Sequence, residues 1–93
     1  MSTFVIRVEL HSATWQDYDT LHQEMGKEGF NRTIRADDGV SYQLPTAEYA
    51  ATSSSTTAQV LEAAKRAATR TGKSFGVIAS QTMNSTWNGL QRA

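Results

Sequence analysis

The sequence contains no cysteine, a single proline and no long hydrophobic segment. The absence of cysteine excludes disulfide bonds, thiolate zinc sites and thiol catalysis. No apolar run approaches the roughly 20 residues that a membrane-spanning helix needs. Of the 93 residues, 39% are hydrophobic and 19% are charged. These proportions are typical of one small globular domain with a single modest core.

The sequence also has no net charge, because nine basic residues balance nine acidic ones. Bulk charge therefore does not indicate a nucleic-acid-binding protein. The charges are unevenly distributed, however. Residues 1–50 contain four basic and eight acidic residues, a difference of -4, whereas residues 51–93 contain five basic and one acidic residue, a difference of +4. The basic second half could bind phosphate or pair with the acidic half inside the fold, and the sequence leaves both interpretations open.

Several targeting and catalytic motifs are missing as well. Arg7 and Glu9 interrupt the apolar N-terminal stretch, and no small-residue cleavage pattern follows it. This argues against a signal peptide, so we expect a cytoplasmic protein with no membrane partner. No glycine-rich phosphate loop, zinc-ligand spacing or nucleophile elbow is present. We predict no cofactor and no metal-binding residue, while a metal requirement stays open.

Hydrophobic periodicity predicts four strands and two helices. Residues 3–10 alternate between apolar and polar, which is typical of a strand with one face on a core. In the predicted first helix, residues 14–27, one apolar stripe consists of Trp15, Tyr18, Leu21 and Met25. The other predicted elements are a strand at 30–36, a turn at 37–39, a second hairpin arm at 40–53 interrupted by Pro45, a helix at 58–71 and a strand at 73–81.

This order of elements predicts the fold class. Strand, helix, strand, strand, helix, strand is the α+β order of the ferredoxin-like βαββαβ fold. In that fold, both helices cover one face of a four-stranded antiparallel sheet. We expect the domain to span residues 1–81, with residues 82–93 forming a C-terminal tail pinned by Trp87. A functional site would lie on the open face, although this fold hosts many unrelated activities.

The first strand carries three candidate catalytic residues. Arg7 and Glu9 alternate with the apolar residues and should therefore point to the open face. A carboxylate there can act as a base, and an arginine can hold phosphate with two hydrogen bonds. His11 follows in the loop and could act as a general acid or base. The alternatives are a solvated salt bridge for Arg7 and Glu9 and an ordinary turn residue for His11. For His22, on the amphipathic helix, we expect a packing role.

The predicted hairpin carries the candidate RNA-binding residues. Arg32 and Arg35 supply guanidinium groups for the RNA backbone, and Tyr42 supplies a ring for base stacking. The signature octamer of RNA-recognition motifs is missing. Asp37 and Asp38 resemble a paired acid site, but an Asp-Asp-Gly sequence is explained by turn chemistry alone.

Three blocks of the sequence form a recognisable series. The first is the opening strand FVIRVELHSA, with a carboxylate near its end, and the second is the middle segment IRADDGVSYQLPTAEYAATSS. The third is the helix and strand that follow. Together the blocks cover residues 4 to 80, approximately, and they resemble the GhoS family of small ribonuclease antitoxins.

The resemblance implies a ferredoxin-like fold and selective cleavage of a toxin messenger RNA. Glu9 matches the acid of the family's first strand, and the resemblance implies RNA contacts by Arg7, Arg32 or Arg35. Our leading hypothesis is a cytoplasmic antitoxin that cleaves single-stranded RNA. Arg7 and Arg35 would supply positioning and electrostatic stabilisation, and Glu9 or His11 would transfer protons. The competing hypothesis is a non-catalytic module that binds a protein or forms a homodimer through an open face or edge strand.

Overall fold

The computed structural model describes residues 1–93, which form two helices and two antiparallel sheets. In chain order the elements are β1 (Ser2–Leu10), α1 (Trp15–Lys27), β2 (Thr33–Arg35), β3 (Ser41–Gln43), β4 (Glu48–Ser53), α2 (Thr57–Thr69) and β5 (Phe75–Thr82). The larger sheet has the order β4-β1-β5, and β2 pairs with β3 in the smaller one. The protein therefore has the predicted α+β class.

The first strand lies at the centre of the larger sheet, paired on both sides, and one of its faces is entirely apolar. Its core-facing side chains are at most 5% exposed: Phe4, Ile6, Val8 and Leu10. They form one cluster with Leu21 and Met25 of α1 and with the small-residue face of α2. Alanines on α2 let its backbone approach the sheet closely. Both helices thus cover the same face, and the other face of the sheet is free of them.

Capping interactions fix where both helices begin. The Thr14 amide donates to the Asp17 carboxylate at 2.8 Å, and the Asp17 amide donates to the Thr14 hydroxyl at 3.3 Å, and this reciprocal pair is a capping box. The hydrogen bond from the Thr14 backbone is the main reason that the pKa of Asp17 lies below its usual value. Thr56 and Gln59 make the same reciprocal pair, so α2 begins slightly before the predicted residue 58. Neither helix is long and apolar enough to cross a membrane.

Trp15 does not belong to the buried stripe that the sequence predicts for α1. Leu21 and Met25 are fully buried and Tyr18 is half-buried, but Trp15 is 72% exposed. At 100° per residue, Trp15 lies about 100° from the midpoint of Leu21 and Met25, which is outside an apolar stripe roughly 100° wide and centred there. That part of the prediction is wrong, because spacing alone did not identify the centre of the stripe.

The strands form two sheets where the sequence predicted one sheet of four. The segment predicted as a strand at 30–36 is a strand only over β2, and its connection to the larger sheet is a single bridge between Asn31 and Ala50. There, each amide donates to the other residue's carbonyl at 2.8 Å. The long second arm of the hairpin is split into β3, which pairs with β2, and β4, which pairs with β1.

The split occurs at the predicted proline break. Pro45 has no amide donor, and its carbonyl accepts a hydrogen bond from Glu48 at 3.0 Å. Ala47 has a φ of 80°, a left-handed conformation that is unfavourable for a residue with a Cβ atom. It is held there because it is buried and its carbonyl accepts from the Val8 amide at 2.8 Å. This corner moves the chain from the smaller sheet to the larger one.

The C-terminal residues pair with the hairpin. Tyr42 and Arg92 form an antiparallel bridge, the Gln43 amide donates to the Gln91 carbonyl at 2.8 Å, and the Ala93 amide donates to Ser41 at 3.0 Å. Trp87 packs against Tyr42, with ring centroids 5.5 Å apart. The chain end thus adds a third segment beside β3.

A polar contact joins the core of the sheet to α1. The fully buried Tyr49 of β4 places its hydroxyl in hydrogen-bonding contact with Nδ1 of His22. Burial raises the pKa of Tyr49, and burial followed by the charge of Arg32 lowers the pKa of His22. His22 therefore has the packing role that the sequence predicts, and its burial favours the neutral form.

We expect Leu21→Ala to reduce the free energy of unfolding by about 2–5 kcal/mol, because it removes a fully buried side chain and leaves a cavity. Trp15→Ala is the matched control in the same helix and should change the free energy by less than about 0.5 kcal/mol. Chemical denaturation followed by circular dichroism measures both. Equal losses in the two variants would contradict the exposed position of Trp15.

The lowered pKa of His22 predicts a pH-dependent stability. Below the ordinary pKa of 6.5, the unfolded chain takes up a proton at this residue that the native state takes up only at lower pH. Stability should therefore fall as the pH drops below 6.5. His22→Gln cannot take up this proton, so thermal unfolding between about pH 7 and about pH 5 should show a flatter dependence. A wild-type slope in the His22→Gln protein would refute the assignment.

Candidate functional site

The uncovered face of the larger sheet carries the polar side chains of β1. Arg7 and Glu9 are exposed there, and Val5 is half-buried. Residues two apart on a strand share a face and are about 7 Å apart along it. Because both neighbouring strands are antiparallel and in register, their side chains continue the same face. We call this surface, centred on Val5, Arg7 and Glu9, the open face.

One end of the open face brings together a carboxylate, an imidazole and a hydroxyl. Nε2 of His11 is 3.7 Å from a carboxylate oxygen of Glu9, and Nδ1 is 3.3 Å from the Ser74 hydroxyl. The His11 amide also donates to the Ser74 carbonyl at 2.9 Å, which extends the pairing of β1 with β5. The Glu9 and His11 side chains are 66% and 52% exposed. Both groups are therefore available to a solvent-borne substrate.

Arg7 lies in the middle row of the open face. Its register partners are Glu48 on β4 and Ile78 on β5, and Ile78 is 61% exposed. Arg7 has no carboxylate within ion-pair distance. Its guanidinium is therefore free to bind an anion beside the Glu9–His11 pair.

The three predicted RNA-binding residues of the hairpin occupy different places. Arg35 and Tyr42 line a cleft of ≈ 520 Å³ that opens beside Thr3 at the N-terminal end of β1. Nε of Arg35 donates to the Gly39 carbonyl at 3.2 Å. Arg32 lies toward α1, close enough for its charge to lower the pKa of His22. The structure thus associates Arg35 and Tyr42 with one surface and Arg32 with another.

The charge asymmetry of the sequence is explained by ion pairs between the helices. Arg70 contacts the carboxylates of both Glu24 and Glu28, and Arg66 contacts Glu28 at 3.1 Å. Hydrogen bonds from these cations and from Lys27 lower the pKa values of Glu24 and Glu28. The basic second half therefore pairs with the acidic first half inside the fold.

These ion pairs divide the nine cations into two groups. Every basic residue of α1, α2 and the loop after α2 lies within 4.0 Å of a carboxylate: Lys27, Lys65, Arg66, Arg70 and Lys73. The remaining four are Arg7, Arg32, Arg35 and Arg92, and none of them has such a partner. The cations without a partner are all arginines, and they lie on β1, the hairpin and the C-terminal segment. Arginine is the side chain best suited to bidentate phosphate contacts.

Two contacts, one at the open face and one in the cleft, were not identified from the sequence. Ser74 lies 63 positions from His11, and only the register between β1 and β5 brings them together. Trp87 was expected to pin the tail, but its position beside Tyr42 in the cleft depends on the folding back of the chain end. An indole in an otherwise polar segment was the available signal. No group of three or more histidines and carboxylates with the spacing of a metal site is present.

Comparison with known proteins supports the resemblance in the sequence. A search of the curated proteins finds no match. The family model described as Endoribonuclease GhoS matches residues 1–88, which include the open face, the hairpin, both helices and Trp87. The chain therefore belongs to the GhoS endoribonuclease family.

Proposed function

We propose that this protein is a cytoplasmic antitoxin that cleaves a toxin messenger RNA on its open face. Family membership supports an endoribonuclease role of antitoxin type. The observation that carries the proposal is the set of Arg7, Glu9 and His11 on a surface free of both helices. This set combines an unpaired cation with two groups that can exchange protons, as phosphodiester cleavage requires.

We interpret the fold as a divergent ferredoxin-like arrangement. The bridge between Asn31 and Ala50 joins the hairpin to the edge of β4, so the strands follow the spatial order β2-β4-β1-β5. If β3 and β4 are regarded as one strand broken at Pro45, this is the ferredoxin-like order. The break turns β2 and β3 away from the larger sheet, and the cleft beside Thr3 lies in the space that results.

The arginines without ion pairs favour a single-stranded RNA substrate. Arg7 belongs to the open face and Arg35 to the cleft beside it, and the two can contact different phosphates of one strand. Tyr42 supplies a ring beside them for an unpaired base. A single strand suits this surface because its bases are free to stack on aromatic rings.

The chemistry that we assign to the site uses the RNA's own 2′-hydroxyl as the nucleophile. The 2′-oxygen attacks the adjacent phosphorus and loses its proton to one member of the Glu9–His11 pair. The bond from phosphorus to the 5′-oxygen breaks, and the other member donates a proton to that oxygen. His11 Nε2 and a Glu9 carboxylate oxygen are 3.7 Å apart, so one substrate hydroxyl can lie about 2.8 Å from both. Arg7 stabilises the negative charge that develops on the phosphoryl oxygens.

A second candidate function is a non-catalytic protein-binding or dimerisation module. The observation that favours it is the outer edge of β5, which no other strand covers, together with the exposed Ile78. An uncovered strand edge can pair with another chain. Apolar contact and backbone pairing depend little on salt, whereas phosphate contacts weaken as salt rises.

We expect Arg7→Ala to slow cleavage of a labelled toxin transcript by about 100- to 1,000-fold, because it removes the cation that stabilises the transition state. His11→Ala should slow it by about 100- to 10,000-fold through loss of a proton-transfer group. Gel analysis of the transcript measures the rates, and a 2′,3′-cyclic phosphate should terminate the upstream product. Lys65→Ala removes one exposed cation from the opposite side and is the matched control. Unchanged rates in the Arg7 and His11 variants would remove these roles.

Arg35→Ala should weaken the salt dependence of RNA binding. Each phosphate contact to a single strand contributes about 0.7 to the slope of log affinity against log salt concentration, so the slope should fall by that amount. Fluorescence anisotropy of a labelled single-stranded RNA at several salt concentrations measures it, and Lys65→Ala should leave the slope unchanged. Binding of the RNA that shows no salt dependence, or no binding at all, would favour the protein-binding module.

A further inference from the structure

The C-terminal segment builds a cleft that the chemistry of the open face does not use. After β5, residues 83–87 form one wall of the ≈ 520 Å³ space, and the hairpin residues Arg35 and Tyr42 form the other. Thr3 and Thr82, which are register partners on β1 and β5, lie at its base. The cleft thus lies between the hairpin, the chain end and the larger sheet.

Two aromatic rings form the centre of the cleft. The rings of Tyr42 and Trp87 are 5.5 Å apart and tilted by 59°, and both side chains are half-buried. At this tilt, neither ring can cover the whole face of the other, so ring surface is left for a third planar group. The chain end returns to the hairpin beyond Trp87, where Arg92 bridges to Tyr42. Two separate contacts, one between the rings and one between the backbones, therefore join the chain end to Tyr42.

Polar groups that a nucleotide could engage line the same cleft as these rings. Arg35 has no ion-pair partner, and the hydrogen bond from its Nε to Gly39 orients the guanidinium while its terminal nitrogens make no hydrogen bond. Asp37 and Asn84 line the same space and offer hydrogen-bond acceptors and donors. A nucleobase with its phosphate would engage these exposed groups, whereas an apolar ligand would make no use of them.

The cleft also has the right position relative to the proposed catalytic residues. Thr3 belongs to the same face of β1 as Arg7 and Glu9, because the three residues are separated by even intervals. Thr3 and Arg7 are about 13 Å apart along the strand. A single strand of RNA can reach from one site to the other with only a few nucleotides.

We infer that this cleft is a nucleobase-binding subsite, in which an unpaired base of single-stranded RNA stacks on Trp87 and Tyr42 while Arg35 binds its phosphate. The inference rests on the proposed ribonuclease function, to which it adds a site that selects where the RNA is cut. Trp87 acts here as a specificity-determining residue, at a distance from the reacting phosphate.

Tryptophan fluorescence provides a direct test, because the chain has two tryptophans and Trp15 lies on α1. In the Trp15→Phe protein, all emission comes from Trp87. Single-stranded 2′-O-methyl RNA, which has no free 2′-hydroxyl for cleavage, should quench this emission. An abasic oligonucleotide with the same number of phosphates should not. Equal quenching by both probes, or no quenching by either, would overturn the subsite.

Substitution of Trp87 tests its contribution to binding. Trp87→Ala should weaken binding of the 2′-O-methyl RNA by roughly 5- to 150-fold, the factor that stacking of one base provides. Trp87→Phe keeps an aromatic ring and should retain most of the affinity, which separates stacking from loss of the fold. Affinity in Trp87→Ala that equals wild type would refute the inference, as would equal losses in both variants.

Cleavage by the same proteins separates this inference from the function on which it rests. If the wild type cleaves no RNA but Trp87 is quenched only by the probe that carries bases, the subsite stands and the ribonuclease proposal fails. If the wild type cleaves RNA and Trp87→Ala cuts the same positions at the same rates, the subsite fails and the ribonuclease proposal stands. If both are correct, Trp87→Ala should change the ratio of the cleavage rates at different positions in the RNA. This ratio should change by a larger factor than the cleavage rate at the preferred position.

Discussion

The packing of one face of β1 against the two helices determines where every other element lies. Phe4, Ile6, Val8 and Leu10 lose almost all contact with water, and each fully buried side chain of this size contributes roughly 1.5–3 kcal/mol. A strand presents alternate residues to opposite faces, so burial of this set fixes Arg7 and the other odd-numbered residues on the exposed side. A register slip of one residue would bury the charges and expose the core, which makes the arrangement strongly specified.

The helices also determine which cations are free to bind RNA. Glu24 and Glu28 on one helix contact Arg66 and Arg70 on the other, so the most basic part of the sequence is engaged within the fold. The four arginines without carboxylate partners lie on β1, the hairpin and the chain end. A protein with no net charge can therefore present unpaired guanidinium groups, because the folded structure decides which cations have carboxylate partners.

The break at Pro45 has a structural cost and a functional consequence. Ala47 occupies a left-handed conformation that an L-residue adopts at some expense, and the buried contacts around it hold it there. The corner separates β3 from β4, so the hairpin leaves the larger sheet and becomes available to the C-terminal segment. The space between them is the cleft that contains Tyr42 and Trp87. Interruption of a strand thus supplies a concave site that a continuous sheet would lack.

The sequence by itself determined the two helices, the faces of β1 and the break at Pro45, because these depend on local periodicity and on the missing amide of proline. The division of the strands into two sheets was not among these, since strand pairing depends on contacts between distant residues. The sequence also did not determine that Trp15 is exposed, since several large residues can share a stripe and only packing selects its centre. Nor did it determine the contact of His11 with Ser74 or of Tyr42 with Trp87. Those pairs are separated by many residues, and strand register and the folding back of the chain end bring them together. Local structure follows from neighbouring residues in the sequence, whereas the candidate site arises from contacts between distant residues that form only when the chain folds.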